Sequence, residues 1–276
     1  MTLARIEARF KNLAETQRTA LVGFLTTGDP SVEDSYQCAK ALLEAGVDVL
    51  ELGVPFSDPT ADGPVIAAAS YRAIQNGGSL KAALDVARRL RADFDAPIVL
   101  FTYYNPIVAF GEQALPGALV DAGVDAVLVV DLPPEEAPLL RQGLRERDLG
   151  VVPLLTPTSG SVREQAVLAD ARGFIYYVSV TGVTGAVDAK AQVASENPLR
   201  AAGQAANALS ARAGMPVVVG FGIDSPAKAR EVAEQGVAGV VVGTAIVKLI
   251  AEPGSSEERR KRVFDFASQL RQAIDA

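Results

Sequence analysis

Eight short, nearly unbroken apolar runs punctuate the chain: TALVGFLT (19–26), VDVLELGV (47–54), APIVLFTYY (96–104), DAVLVVDL (125–132), GVVPLLT (150–156), FIYYVSV (174–180), PVVVGFG (216–222) and AGVVVGT (238–244). Each is followed by a loop and then by a stretch of helical periodicity. Runs with so little polar alternation predict strands buried on both faces, as parallel strands covered by helices are. One phrase recurs: EAGVDVLELGVP from Glu44, DAGVDAVLVVDLP from Asp121 and EQGVAGVVVGTA from Glu234. In each copy a helix stops at a glycine suited to a left-handed cap and the chain enters a buried strand. The copies are unequally spaced, which excludes a solenoid and leaves a recurring αβ unit with insertions on other connections.

Eight βα units in about 250 residues is the arithmetic of an α/β protein of the (β/α)8 TIM-barrel class. A doubly wound open sheet is the rival, but it usually carries fewer strands at this size and a phosphate loop after its first strand. The loop there is TTGDPS (26–31), without the G-x-G-x-x-G spacing. Leu3, Ile6, Phe10 and Leu13 recur at helical spacing and add an extra N-terminal helix, with no apolar h-region of a signal peptide. Nothing linker-like divides residues 1–276, so one domain is expected.

Composition narrows the chemistry. A net charge of −7 spread along 276 residues disfavours nucleic acid and anionic membranes as partners, and no apolar run is long enough to span a bilayer. A single cysteine, Cys38, on a predicted helix fits a reducing, cytoplasmic setting and offers no metal-site signature. Histidine is absent, which removes Ser-His-Asp and Cys-His catalysis and the usual imidazole ligands. Carboxylates, lysine, tyrosine or backbone must do the work. No lysine stands at a predicted strand end, so Schiff-base chemistry has no candidate, and no clustered oxygen ligands suggest a metal.

Barrel active sites form at the C-terminal ends of the strands. The polar residues expected there are Asp29, Glu51, Asp58, Asp62, Tyr103, Tyr104, Asn105, Asp131, Thr156, Thr158, Ser179, Thr181 and Thr184. Glu51 stands apart because Leu50 and Leu52 flank it, and alternation turns it to the opposite face, toward the barrel interior. A carboxyl there resists ionisation and can serve as general acid and base near neutrality; the competing reading is a structural glutamate tied to a buried donor. Asp62, in DPTADGP, is a second candidate or a turn former. Asp58 suits a turn, and Asp29 and Asp131 suit caps of the helices that follow them. Glycines in VGFGID (219–224) and VGTA (242–245) suit a phosphate site built from late-strand loops and a helix N-terminus, or merely tight turns. The loop over 181–198 has the length of a lid.

The strings FLTTGDP, LELGVPFSDPTADGP, TYYNPI, VDLPPEE, SVTGVTG, VGFGI and VGTAIVK run in order from residue 24 to 248. Through them the chain resembles the tryptophan synthase α-subunit family. The resemblance implies a TIM barrel that cleaves indole-3-glycerol phosphate to indole and glyceraldehyde 3-phosphate by a retro-aldol step without a cofactor. It implies Glu51 as the proton-transfer group and Asp62 as the carboxylate that meets the indole N–H. It also implies Gly185, Gly222, Gly243 and Thr244 around the phosphate. Phe24, Leu100, Leu128, Leu155, Tyr176, Thr184 and Phe221 fall on the indole pocket. Thr184 matches the lid threonine that touches the aspartate on closure. Pro55, Phe56, Asp58, Asn105 and Pro133 match a surface for the β subunit, which carries pyridoxal phosphate in an α2β2 heterotetramer. Gly23, Thr60 and the Val180-Thr181 pair depart from the family pattern, away from the acid pair. Two other functions fit less well: a barrel kept mainly as an allosteric partner with weak chemistry, and a phosphosugar isomerase using two carboxylates.

Overall fold

The structure is a computed structural model that describes residues 2–133, 135–157, 159–178, 197–220 and 222–276. Its first half runs α1 (Thr2–Glu15), β1 (Ala20–Thr26), α2 (Val32–Glu44), β2 (Val49–Gly53), α3 (Pro64–Gln75), α4 (Leu80–Arg91), β3 (Ile98–Thr102), α5 (Tyr104–Phe110), α6 (Leu115–Ala122) and β4 (Ala126–Val129). The second half continues α7 (Pro138–Glu146), β5 (Gly150–Val151), β6 (Leu154–Leu155), α8 (Ser161–Leu168), β7 (Ile175–Val178), α9 (Pro198–Ala213), β8 (Val217–Gly220), α10 (Pro226–Ala233), β9 (Gly239–Val242), α11 (Thr244–Ala251) and α12 (Ser256–Asp275). Every apolar run of the sequence contains strand.

All pairings between these strands are parallel, in the order β5-β4-β3-β2-β1-β9-β8-β7-β6. β5 and β6 are two ends of one extended segment. Pro153 between them lacks an N–H and cannot extend a ladder in the ordinary way. The segment still bonds both neighbours: Val152 N–H donates to Val127 O at 2.9 Å, and Tyr176 N–H donates to Pro153 O at 3.0 Å. The sheet therefore closes through residues 150–155 into a (β/α)8 barrel. An open doubly wound sheet is excluded.

The strands bury two faces. Outward residues such as Leu50, Leu52, Ile98 and Val127 join the helices in the larger core cluster. Inward residues such as Val22, Val49, Val99, Ala126, Val218 and Val241 form a separate cluster with Ile6, Phe10 and Leu13 of α1. The extra N-terminal helix thus plugs the N-terminal mouth, where the Phe10 and Phe174 rings lie 5.3 Å apart.

The recurring phrase has a physical explanation. Its glycines Gly46, Gly123 and Gly236 adopt φ of 96°, 73° and 75°, a region costly for residues with a Cβ. The acids that follow in two copies are buried anchors: Asp48 accepts from Leu21 N–H at 2.9 Å and Arg271 at 2.8 Å. Asp125 accepts from Ile98 N–H at 2.8 Å and Arg91 at 2.8 Å, and also pairs with Arg5 of α1. The third copy has Ala238 at this place. Cys38 is buried, and burial pushes its thiol up to about 12, an inert state.

Candidate active site

Glu51 lies mid-strand in β2 with Phe24 of β1 and Val99 of β3 as its register partners. It is 1% exposed, and its Oε1 has no hydrogen-bond partner among the described residues. Burial alone pushes the carboxyl up to about 8. Its charge also acts on Tyr176, whose hydroxyl is raised well above its ordinary value, by burial first and by Glu51 second. A structural glutamate would be tied to a donor. No donor supports that reading at Oε1.

Small residues give the side chains above Glu51 their room. A Cβ on Gly53 would stand 2.6 Å from Phe24 Cζ, and one on Gly220 would stand 2.1 Å from the Tyr176 hydroxyl. A Cβ on Gly243 would press on Phe24 at 3.4 Å. Phe24 meets Phe101 edge-on at 5.2 Å. Val65, Ile66 and Ala69 of α3 and Val247 of α11 pack with Phe24 and Phe101, so the aromatic pair has an apolar cover.

Asp62 sits in the loop between β2 and α3, a chain of tight turns in which Thr60 N–H donates to Asp58 O at 2.9 Å and Asp62 N–H to Pro59 O at 3.0 Å. Burial raises its carboxyl to about 6, with a hydrogen bond from the Tyr103 hydroxyl opposing the shift. Asp58 is exposed and accepts from the Ser57 hydroxyl at 2.5 Å. The other two acids act differently from the sequence expectation. Asp29 is locked bidentately by Arg72 of α3, at 2.8 and 2.7 Å, while Ser31 caps α2. Asp131 accepts from Tyr104 N–H at 2.7 Å, serving α5 of the preceding unit.

At the late strands, Gly222 has φ of 73°, and a Cβ there would meet nothing within 4 Å among the described residues. Gly243 is the N-cap residue of α11, and Thr244 is its first residue, with no side chain capping the helix. The first N–H groups of such a helix have no partner within it and suit an anion. Thr184, Gly185, Phe221 and most of the 181–198 loop lie outside the described residues. Asn197 caps α9, its side chain accepting from Leu199 and Arg200 N–H. Among the described residues, no group of three or more His, Cys, Asp or Glu could hold a metal ion. No helix there is long and apolar enough to cross a membrane.

Known proteins share this fold over nearly the whole chain. The family model described as tryptophan synthase alpha chain matches residues 10–275. The chain belongs to the tryptophan synthase alpha chain family. It is 46% identical over 272 residues to the tryptophan synthase alpha chain of Geobacter sulfurreducens, covering 99% of each. Against that of Xanthomonas campestris pv. campestris strain 8004 it is 44% identical over 273 residues, covering 99% of this chain and 97% of the relative. Among solved structures, tryptophan synthase subunit alpha from Legionella pneumophila str. Paris superposes with a TM-score of 0.86 at 33% identity, covering 98% of both chains. A tryptophan synthase from M. tuberculosis, in its open form with BRD0059 bound, gives 0.84 at 30% identity and 98% of both.

In this family member, two residues expected at the pocket, Leu100 and Leu155, pack on the outer face of the sheet. Leu100 pairs in register with Leu52 and Val127 and packs outward against helices; Phe101, the partner of Gly53 and Leu128, is the inward residue. Likewise Leu155 pairs with Tyr177 in the outer core, whereas Leu154 pairs with Tyr176 and packs against the inner cluster. Phe24, Leu128 and Tyr176 do face inward. Thr26, two residues beyond Phe24, is also buried, and its Oγ1 has no partner among the described residues. Counting by two from Val99 and from Val22 would have found Phe101 and Thr26. Of the expected partner surface, Asp58 and Asn105 are exposed, Phe56 and Pro133 half-buried, and Pro55 buried.

Proposed function

We propose that the chain cleaves indole-3-glycerol phosphate into indole and glyceraldehyde 3-phosphate. The observation that carries this reading is Glu51: a buried inward carboxyl with one oxygen unpartnered among the described residues, in a chain of this family. In the proposed step the protonated Glu51 gives its proton to indole C3, which places positive charge on the ring and its nitrogen. Asp62, ionised, accepts the indole N–H hydrogen bond where that charge develops, so its contribution is largest in the transition state. The glutamate then removes the proton of the glycerol hydroxyl next to C3. The C–C bond breaks, its electron pair returns to the ring, the aldehyde forms and Glu51 is protonated again. The proton balance closes on one residue, and the reading assigns no cofactor to this chain.

Phe24, Phe101, Leu128, Leu154 and Tyr176 form the proposed indole pocket, and Gly222, Gly243 and Thr244, joined by Gly185, the phosphate site. Thr184 and Phe221 stay in the proposal as contacts from the lid and the strand-end loop. Pro55, Phe56, Asp58, Asn105 and Pro133 are proposed as the face toward a β subunit, which holds pyridoxal phosphate and takes the indole in an α2β2 assembly. The chain acts as one cytoplasmic domain in this reading. The test is indole release from indole-3-glycerol phosphate, with and without a β subunit. Slow release alone, faster release with the partner, and loss in Glu51→Gln with substrate binding kept are the expected results. No release even with the partner would favour a barrel kept for allosteric contact.

A further inference from the structure

Tyr103 links the two halves of the proposed acid pair's surroundings. It is 3% exposed and stands at the end of β3, as the N-cap residue of α5, where no side-chain capping bond engages it. Its hydroxyl reaches across to the β2–α3 loop and accepts the Ala61 N–H at 3.0 Å. A phenol that accepts one hydrogen bond still has a proton to give. The neighbouring group is the Asp62 carboxyl, one residue along. The Tyr103 ring also lies 5.2 Å from Phe56, at an interplanar angle of 35°, in the segment that leads into the same loop. One side chain thus grips the loop at three successive places: Phe56 by ring contact, Ala61 by its backbone, Asp62 by its acid.

We infer that Tyr103 is a positioning residue that aims the Asp62 carboxylate at the indole nitrogen and ties that aim to the Phe56 segment. The inference rests on the reading that Asp62 meets the indole N–H. A residue needed only for packing would act through its ring, which Phe56 contacts. A positioning residue acts through its hydroxyl. The two roles separate because removing the hydroxyl leaves the ring and takes away both the acceptor of the Ala61 N–H and the donor to Asp62, and only the loss at Asp62 moves a titration.

The loop's other facing groups do not supply a substitute. Asp58 is turned to solvent with Ser57, and Asp131, whose charge also acts on Tyr103, is occupied by the Tyr104 N–H at 2.7 Å. Burial raises the Tyr103 hydroxyl above its ordinary value, and the Asp62 charge adds to that, so it remains a donor throughout the working range. The same hydrogen bond restrains the upward shift that burial imposes on Asp62.

The experiment is the pH profile of kcat/KM for indole release by the full chain, for wild type, Tyr103→Phe, Asp62→Asn and the double variant. Tyr103→Phe is expected to move the acid limb up by about one pH unit, as the loss of a hydrogen bond to a charged group does, with the deficit greatest below pH 7. The double variant is expected to be no slower than Asp62→Asn, because the two residues act on one event. Incorporation of 3-fluorotyrosine at position 103 keeps the ring and strengthens the donor, and should move the acid limb down. A uniform loss at every pH in Tyr103→Phe, multiplicative losses in the double variant, or an unmoved limb with 3-fluorotyrosine each overturn the inference. Wild type that releases no indole with or without its partner would instead overturn the functional reading.

Discussion

Phe24 and Gly53 are complementary across neighbouring strands: the ring of one occupies the volume that a side chain on the other would fill. A Cβ on Gly53 would lie 2.6 Å from Phe24 Cζ, 2.7 Å from Cε2 and 3.0 Å from the Leu25 carbonyl oxygen. Phe24 cannot easily retreat, since Phe101 meets it edge-on and Val247 and Ala69 pack on it. Gly53→Ala should therefore push the ring into the proposed indole pocket. Overpacking of this kind costs about 1–3 kcal/mol of stability. A larger effect is expected on kcat/KM for indole release, carried mainly by KM. Urea unfolding together with steady-state kinetics checks both, and unchanged KM would show that the ring does not bound the substrate.

The same strands show what the sequence made legible. The eight strands and the plug helix were readable because burial on both faces leaves continuous apolar runs, and because Leu3, Ile6, Phe10 and Leu13 repeat at helical spacing. Facing was readable in β2, where Glu51 breaks an apolar run and so marks one side. In β3 the run IVLFT carries no such marker inside the strand, so nothing local tells Leu100 from Phe101 as the inward residue. The interruption at Pro153 hid the parity of Leu154 and Leu155 in the same way. Contacts between distant segments left no local trace: Tyr103 with Ala61 and Asp62, Arg72 with Asp29, and Arg5 with Asp125 arise only when the barrel closes.

Glu51 should make the wild-type protein less stable as pH rises. Its carboxyl titrates at about 8 in the folded chain against 4.5 in an exposed one. Between these values the unfolded chain has lost the proton that the folded chain keeps, so ionisation favours unfolding progressively from about pH 4.5 and the penalty is complete near pH 8. Glu51→Gln removes the titration. The variant should match wild type in stability near pH 4.5 and exceed it by about 4 kcal/mol at pH 8. Denaturation curves at several pH values measure the difference. Parallel curves for the two proteins would mean that Glu51 is not held protonated.

Arg271 closes the chain's last helix onto Asp48 at the start of the second βα unit. The pair is almost wholly buried, with side-chain exposures of 9% and 6% and a separation of 2.8 Å. Arg271→Ala leaves Asp48 with Leu21 N–H and the more distant Arg9, at 3.7 Å. Stranding one partner of a buried pair costs about 3–5 kcal/mol. Burial already raises the Asp48 carboxyl above its usual range with the arginine present, and removal of the arginine raises it further. Because a raised acid loses stability as pH climbs, the deficit of Arg271→Ala should shrink in mild acid and grow toward neutrality. Unfolding midpoints at pH 5 and pH 8 test the trend, and an equal deficit at both would place the effect in packing alone.

The rate of indole release should follow a bell in pH. The proposed reactive form has Glu51 protonated, which requires a pH below about 8, and Asp62 ionised, which requires one above about 6. In the free protein kcat/KM should therefore be flat between these values and fall about tenfold per unit outside them. A phosphate monoester also titrates near pH 6, so the substrate can imitate the acid limb. Asp62→Asn separates the two: the residual activity of the variant keeps a limb that belongs to the substrate and loses one that belongs to Asp62. On the alkaline side no substrate group interferes, and the limb reports Glu51. An alkaline limb near 8 in wild type, with release lost at every pH in Glu51→Gln, is the expected result. A rate that keeps rising through pH 9 would require the ionised glutamate to be the reactive form, and would reverse the order of the two proton transfers.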